Sequence, residues 1–64
     1  MPLFWVEMKK GRTTQQKRDF VEAITEATTR TLGVPADSVR IRMIEIDGHD
    51  VARAGVYDPP EADA

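Results

Sequence analysis

The side chains that usually carry enzyme chemistry are scarce in this chain, and one backbone nitrogen stands out instead. Cysteine is absent from all 64 residues, which excludes disulfides, thiolate nucleophiles and thiolate-based zinc sites. The single imidazole, His49, lies in a turn-rich stretch and reads as a surface histidine before it reads as a general base. Glu45 and Asp47 are two residues apart, the spacing that puts two carboxylates on one face of a strand. They read as a solvated strand end before an acid–base pair. Gly11 and Gly33 stand alone, so there is no glycine-rich phosphate loop. Pro2 is different. A small second residue generally permits removal of the initiator Met1, and the chain would then begin with a secondary amine. Apolar surroundings and neighbouring cations both disfavour the charged form of such an amine. Its pKa then falls toward neutrality, where a general base works best. Taken alone, however, Pro2 reads as an ordinary way to open a strand before it reads as a base.

The elements that must position these groups follow from periodicity. Leu3 to Met8 alternates as a strand, with Phe4, Val6 and Met8 on one face and Leu3, Trp5 and Glu7 on the other. Thr13 to Leu32 has helical spacing, with an apolar stripe running from Phe20 through Val21, Ile24 and Thr28 to Thr31 and Leu32. Thr13 and Gln16 fit a capping box, Lys17 falls on the solvated face, Gly33 suits a left-handed cap and Pro35 is a stop signal. Val39 to Ile46 reads as a second strand, with Val39, Ile41 and Met43 on one face and Arg40, Arg42, Ile44 and Ile46 on the other. Strand, long helix and strand make a βαβ unit with parallel strands and a right-handed crossover. The expected fold is therefore α+β, a single βαβ unit followed by a C-terminal turn or hairpin around Val51 and Val56. Residues 1–64 form one domain, with 58–64 expected to be an extended or frayed tail.

Size and charge add constraints. A chain of about 60 residues buries only roughly 60% of its unfolded surface, and one core this small rarely supplies more than about 3–5 kcal/mol. The helix can cover one sheet face, but nothing remains to cover Leu3, Trp5, Ile44 and Ile46, so self-association is expected. A formal net charge of −2 argues against a nucleic-acid partner. No apolar run approaches a membrane span or a signal-peptide core, so no membrane partner and a cytoplasmic location are expected.

Pro2 at the start of a strand, Gly11-Arg12-Thr13, Gln16-Lys17-Arg18, Ile24-Thr25-Glu26-Ala27, Leu32-Gly33-Val34-Pro35 and Val39-Arg40 occur in that order. From Pro2 to about Glu45 this pattern resembles the 4-oxalocrotonate tautomerase family. The resemblance implies a cofactor-free, metal-free enzyme that moves a proton between enol and keto forms of a small unsaturated 2-oxo or 2-hydroxy acid, such as a hydroxymuconate. It implies that Pro2, freed of Met1, is the base and acid. Arg12 would hold a substrate carboxylate, and Arg40 would stabilise the oxyanion. Val51 falls near a position where many members carry an aromatic wall of the substrate site, and Phe4, Met8 and Val51 would keep Pro2 neutral. Arg53 and Tyr57 are either pocket groups or interface residues. The resemblance also implies a homohexamer, a trimer of dimers, while the departures after Glu45 leave room for a hetero-oligomer.

Two alternatives stay beside this reading. One is a hydratase or dehalogenase-like member, in which Glu45 or Asp47 would activate water near Pro2. The other is a non-catalytic subunit. Geometry adds one expectation of its own. At roughly 3.3 Å per residue the first strand separates Pro2 from Arg12 by about 20 Å, so both act on one substrate only if Arg12 comes from a neighbouring subunit. Arg40 opens the parallel strand and belongs at the same sheet end as Pro2.

Overall fold

Two parallel strands joined by one long helix form the body of the chain. The computed structural model describes residues 1–57. Its elements are β1 (Leu3–Lys9), α1 (Thr14–Leu32), a 3-10 turn at Ala36–Ser38, β2 (Arg40–Ile46), a second 3-10 turn at Gly48–Asp50, β3 (Ala52–Arg53) and β4 (Val56–Tyr57). The expected tail, 58–64, lies outside the described residues.

β1 and β2 pair in parallel from Leu3↔Arg40 to Lys9↔Ile46. The crossover between them is α1, and its ends are chemically defined. At the start, the Gln16 N–H donates to the Thr13 hydroxyl at 3.0 Å, and the Thr13 N–H donates to the Gln16 side-chain carbonyl at 2.9 Å. This capping box satisfies two helix donors that would otherwise lack partners. At the end, Gly33 adopts φ 69° and its N–H donates to the Thr29 carbonyl at 3.1 Å. β2 begins one residue later than its alternation predicts, because the Val39 N–H is spent closing the preceding 3-10 turn onto Ala36. β3 and β4 form a two-residue hairpin. Ala54 and Gly55 both have positive φ, which matches the twist of the flanking strands at some cost for the alanine.

The register sorts side chains by face. Phe4, Val6 and Met8 share the helix side with Ile41, Met43 and Glu45. An ion pair of 2.8 Å between Lys17 and Glu45 ties α1 to that face. Lys17 is thus half-buried rather than on the solvated face, because its long stem lies over the sheet while its head reaches the carboxylate. The apolar stripe of α1 also ends earlier than its periodicity suggests. Thr31 and Leu32 are exposed, Leu32 by 61%, because they extend past the strand ends that the helix covers.

The opposite sheet face is uncovered. Leu3 is 48% and Trp5 60% exposed, and Arg40, Arg42, Ile44 and Ile46 share that face. Among the described residues no apolar side chain is fully buried, and Thr28 alone is buried, with its hydroxyl satisfied by the Ile24 carbonyl at 2.7 Å. One chain therefore forms half of a core. No described helix is long and apolar enough to cross a membrane.

Candidate active site

The first rung of the parallel ladder brings two of the candidate residues together. The Arg40 N–H donates to the Pro2 carbonyl at 3.0 Å, which fixes Pro2 at the open end of β1 beside the first residue of β2. Pro2 itself is half-buried. Two residues further along β2, on the same face as Arg40, the Arg42 guanidinium lies 5.5 Å from the centroid of the Trp5 ring. That stacking holds a second cation near this end of the sheet. Among the described residues neither Arg40 nor Arg42 forms an ion pair with a carboxylate.

The other candidates lie at the far end. Gly11, at φ 118°, makes the reversal out of β1 that a side chain would resist, and Arg12 follows it immediately before the helix cap. Arg12 lines a cavity of about 390 Å³ with Val6, Met8, Gln16 and Phe20. Val51 lines a second cavity of about 180 Å³ with Glu7, Met8, Lys9 and Ile46. Met8 is common to both. Seven residues of β1 lie between Pro2 and this region, or about 20 Å at strand rise.

The four candidate residues therefore fall into two pairs, Pro2 with Arg40 and Arg12 with Val51. Within one chain Met8 and Val51 lie at the far end of β1 from Pro2. Of the three apolar residues expected near Pro2, only Phe4 lies toward its end of the strand. The proposed carboxylate pair also comes apart. Glu45 is engaged by Lys17 on the helix side. Asp47 has left the strand and caps the next turn, accepting from the His49 N–H at 2.9 Å and lying 3.2 Å from His49 Nδ1. The backbone hydrogen bond from His49 is the main reason its carboxyl sits below its ordinary value of 3.8. Neither carboxylate accompanies Pro2 in its own chain. His49 also meets Tyr57 edge-on, ring centroids 5.5 Å apart. Among the described residues no group of three His, Asp or Glu side chains could hold a metal ion.

The tautomerase family profile matches residues 2–57. The chain belongs to the tautomerase family. It is 38% identical over 55 residues to the 2-hydroxymuconate tautomerase of Bacillus subtilis, covering 86% of this chain and 89% of that protein. Its fold is similar to a 4-oxalocrotonate tautomerase isozyme of Methylibium petroleiphilum, with TM-score 0.86, 41% identity and 91% of each chain covered. A heterohexamer 4-oxalocrotonate tautomerase of Chloroflexus aurantiacus superposes with TM-score 0.87 at 26% identity, over 95% of this chain and 98% of that one.

Two features of this tautomerase family member escaped sequence reasoning. Lys9 lies just past the Leu3 to Met8 strand expected from alternation, yet it closes β1 and lines the Val51 cavity. The Trp5–Arg42 stack was available in principle: two parallel strands starting at Leu3 and Arg40 place Trp5 opposite Arg42.

Proposed function

We propose that this chain is a cofactor-free tautomerase acting on a small unsaturated 2-hydroxy or 2-oxo acid that carries a second carboxylate, in the manner of the 2-hydroxymuconate tautomerase it is similar to. With Met1 removed, the Pro2 nitrogen lone pair takes the proton of the enol hydroxyl. The oxygen's electrons form the carbonyl, the conjugated double bonds shift by one place, and the prolinium returns its proton to a carbon further along the chain. Arg40 donates hydrogen bonds to the oxygen as negative charge develops there, an interaction worth on the order of 3 kcal/mol per well-placed donor. Arg12 grips the distant carboxylate with its planar fork.

The observation that carries this reading is the pairing of Pro2 with Arg40 across the first ladder rung. It supports a base and an oxyanion donor at one sheet end, where Arg40 has no carboxylate partner among the described residues. Arg12 stands a strand length away, so the site is completed by Arg12 of another subunit. The uncovered sheet face supplies the reason to assemble, and a homohexamer built as a trimer of dimers satisfies both demands. The heterohexamer among the similar structures supports a second form of the same idea, in which a different chain of this family donates the missing half.

The direct test compares enol-to-keto conversion of 2-hydroxymuconate by the parent chain and by Pro2→Ala, after intact mass has established that Met1 is gone. A loss of about 10²–10⁴-fold is expected for a general base. An undiminished rate in the variant would reject the mechanism.

A further inference from the structure

We infer that Glu7 and Arg42 form an ion pair across the subunit boundary, and that this pair makes the open sheet face a docking surface for a second, antiparallel copy of this same chain. The inference rests on the assembly proposed above and does not depend on the reaction. Strand register lays out the face in levels. Arg40 and Arg42 lie toward the Pro2 end, opposite Leu3 and Trp5, and Glu7 lies one level further in, opposite Ile44. Pleating turns all six side chains away from the helix. Arg42 does not keep to its own strand. Its guanidinium lies 5.5 Å from the centroid of the Trp5 ring, so the cation is carried over toward β1. Trp5 is 60% exposed, and Glu7 and Arg42 are exposed as well. Neither Glu7 nor Arg42 forms an ion pair among the described residues.

Two copies related by a two-fold axis can meet on this face with their strands parallel or antiparallel. In the parallel arrangement each level meets itself, so Arg42 faces Arg42 and Glu7 faces Glu7. Antiparallel docking about a point between Trp5 and Glu7 sets Glu7 of one copy against Trp5 of the other, where the stacked Arg42 guanidinium already lies. The contact is isologous and therefore occurs twice. It holds whether the two β1 strands stack or lie side by side, because both arrangements reverse their direction. The same register brings Arg40 to the level of Lys9 only at the outer rims, where solvent screens charge. Covering Leu3 and Trp5 also strips water from Arg42, and a desolvated guanidinium needs an anion beside it. A second copy supplies that anion from Glu7, which the single chain leaves unengaged. Opposite charges in one orientation and like charges in the other select both the orientation and a partner with an acid at this position.

The experiment uses native mass on dilution to read the assembly of Glu7→Arg, of Arg42→Glu, and of their equal mixture after dissociation and reassembly, each against the parent. Either reversal alone brings like charges together twice and is expected to raise the dissociation midpoint by about ten-fold or more. In the mixture a Glu7→Arg chain meets an Arg42→Glu chain with both contacts complementary. Mixed assemblies should predominate, with a midpoint about ten-fold below that of either variant. A mixture no more stable than its components, or a reversal that assembles like the parent, overturns the inference. Should a reversal leave the chain unfolded, Glu7→Gln, Arg42→Gln and the double variant replace it. The double variant should then weaken assembly no more than either single one, and additive losses overturn the inference. A parent chain that stays monomeric overturns the inference together with the proposed assembly, whereas an assembled parent without rescue overturns the inference alone.

Discussion

At the Pro2 end of the sheet the candidate groups are held by the ladder itself, whereas at the other end they lie on its margin and on turns. Pro2 and Arg40 are joined by a backbone hydrogen bond of 3.0 Å, and Arg42 is stacked on Trp5 two residues further along β2. Arg12 follows the Gly11 reversal, and Val51 follows a 3-10 turn. The first arrangement suits groups that handle the reacting atoms, which must be held to within a fraction of an ångström. The second suits groups that recognise the remainder of the substrate, since turns can change without disturbing the sheet. Under the proposed mechanism a single chain contains a base end and a recognition end, and the length of β1 prevents it from using both on one molecule.

The widest separation between the two ends is expected from their arginines. Arg40→Gln removes the donor aimed at developing charge and should lower kcat by about 10²–10³-fold with little change in KM. Arg12→Gln removes a ground-state grip on a carboxylate and should act mainly by raising KM, by about ten- to thirty-fold. Steady-state kinetics on 2-hydroxymuconate separates the two, and a reversed pattern would break the division between a chemical end and a recognition end. The smallest effect belongs to the face between the ends. Trp5→Ala removes the largest exposed apolar group of the open face and the platform under Arg42. It should weaken assembly by about ten-fold, read by native mass on dilution, with activity falling in step with the assembled fraction. An assembly indifferent to Trp5→Ala would show that subunits meet elsewhere.

Much of this layout is legible in the sequence where local chemistry decides it. Thr13 with Gln16 and Gly33 before Pro35 define the helix, because caps are short-range hydrogen-bond problems. The alternation of Phe4, Val6 and Met8 and the placement of Arg40 across from the start of β1 follow from strand pleating and the parallel crossover. Three features were not legible. Glu45 is held by Lys17, a contact between helix and sheet that neither segment's periodicity encodes. Asp47 spaces like a strand residue but its side chain captures the His49 N–H, and the local turn outcompetes one more ladder position. Met8 lines both the Arg12 cavity and the Val51 cavity, at the end of β1 away from the Pro2 of its own chain, because the chain reverses direction after each strand. In the candidate site itself, spacing alone left Pro2 an ordinary strand residue. Its role and those of Arg12 and Arg40 are suggested by family resemblance, and the ladder then sets Pro2 and Arg40 at one sheet end, a strand length from Arg12 of the same chain.

The measurement that bears most directly on a site divided between subunits is complementation. Pro2→Ala and Arg12→Ala, each nearly inactive, are mixed in equal amounts, dissociated and reassembled, with subunit exchange verified by native mass. If each site takes Pro2 from one chain and Arg12 from another, random reassembly restores both native residues in roughly a quarter of the sites, and activity rises to about that share of the parent's. Activity no greater than the sum of the two variants, after exchange is demonstrated, would contradict a shared site and return Pro2 and Arg12 to separate roles.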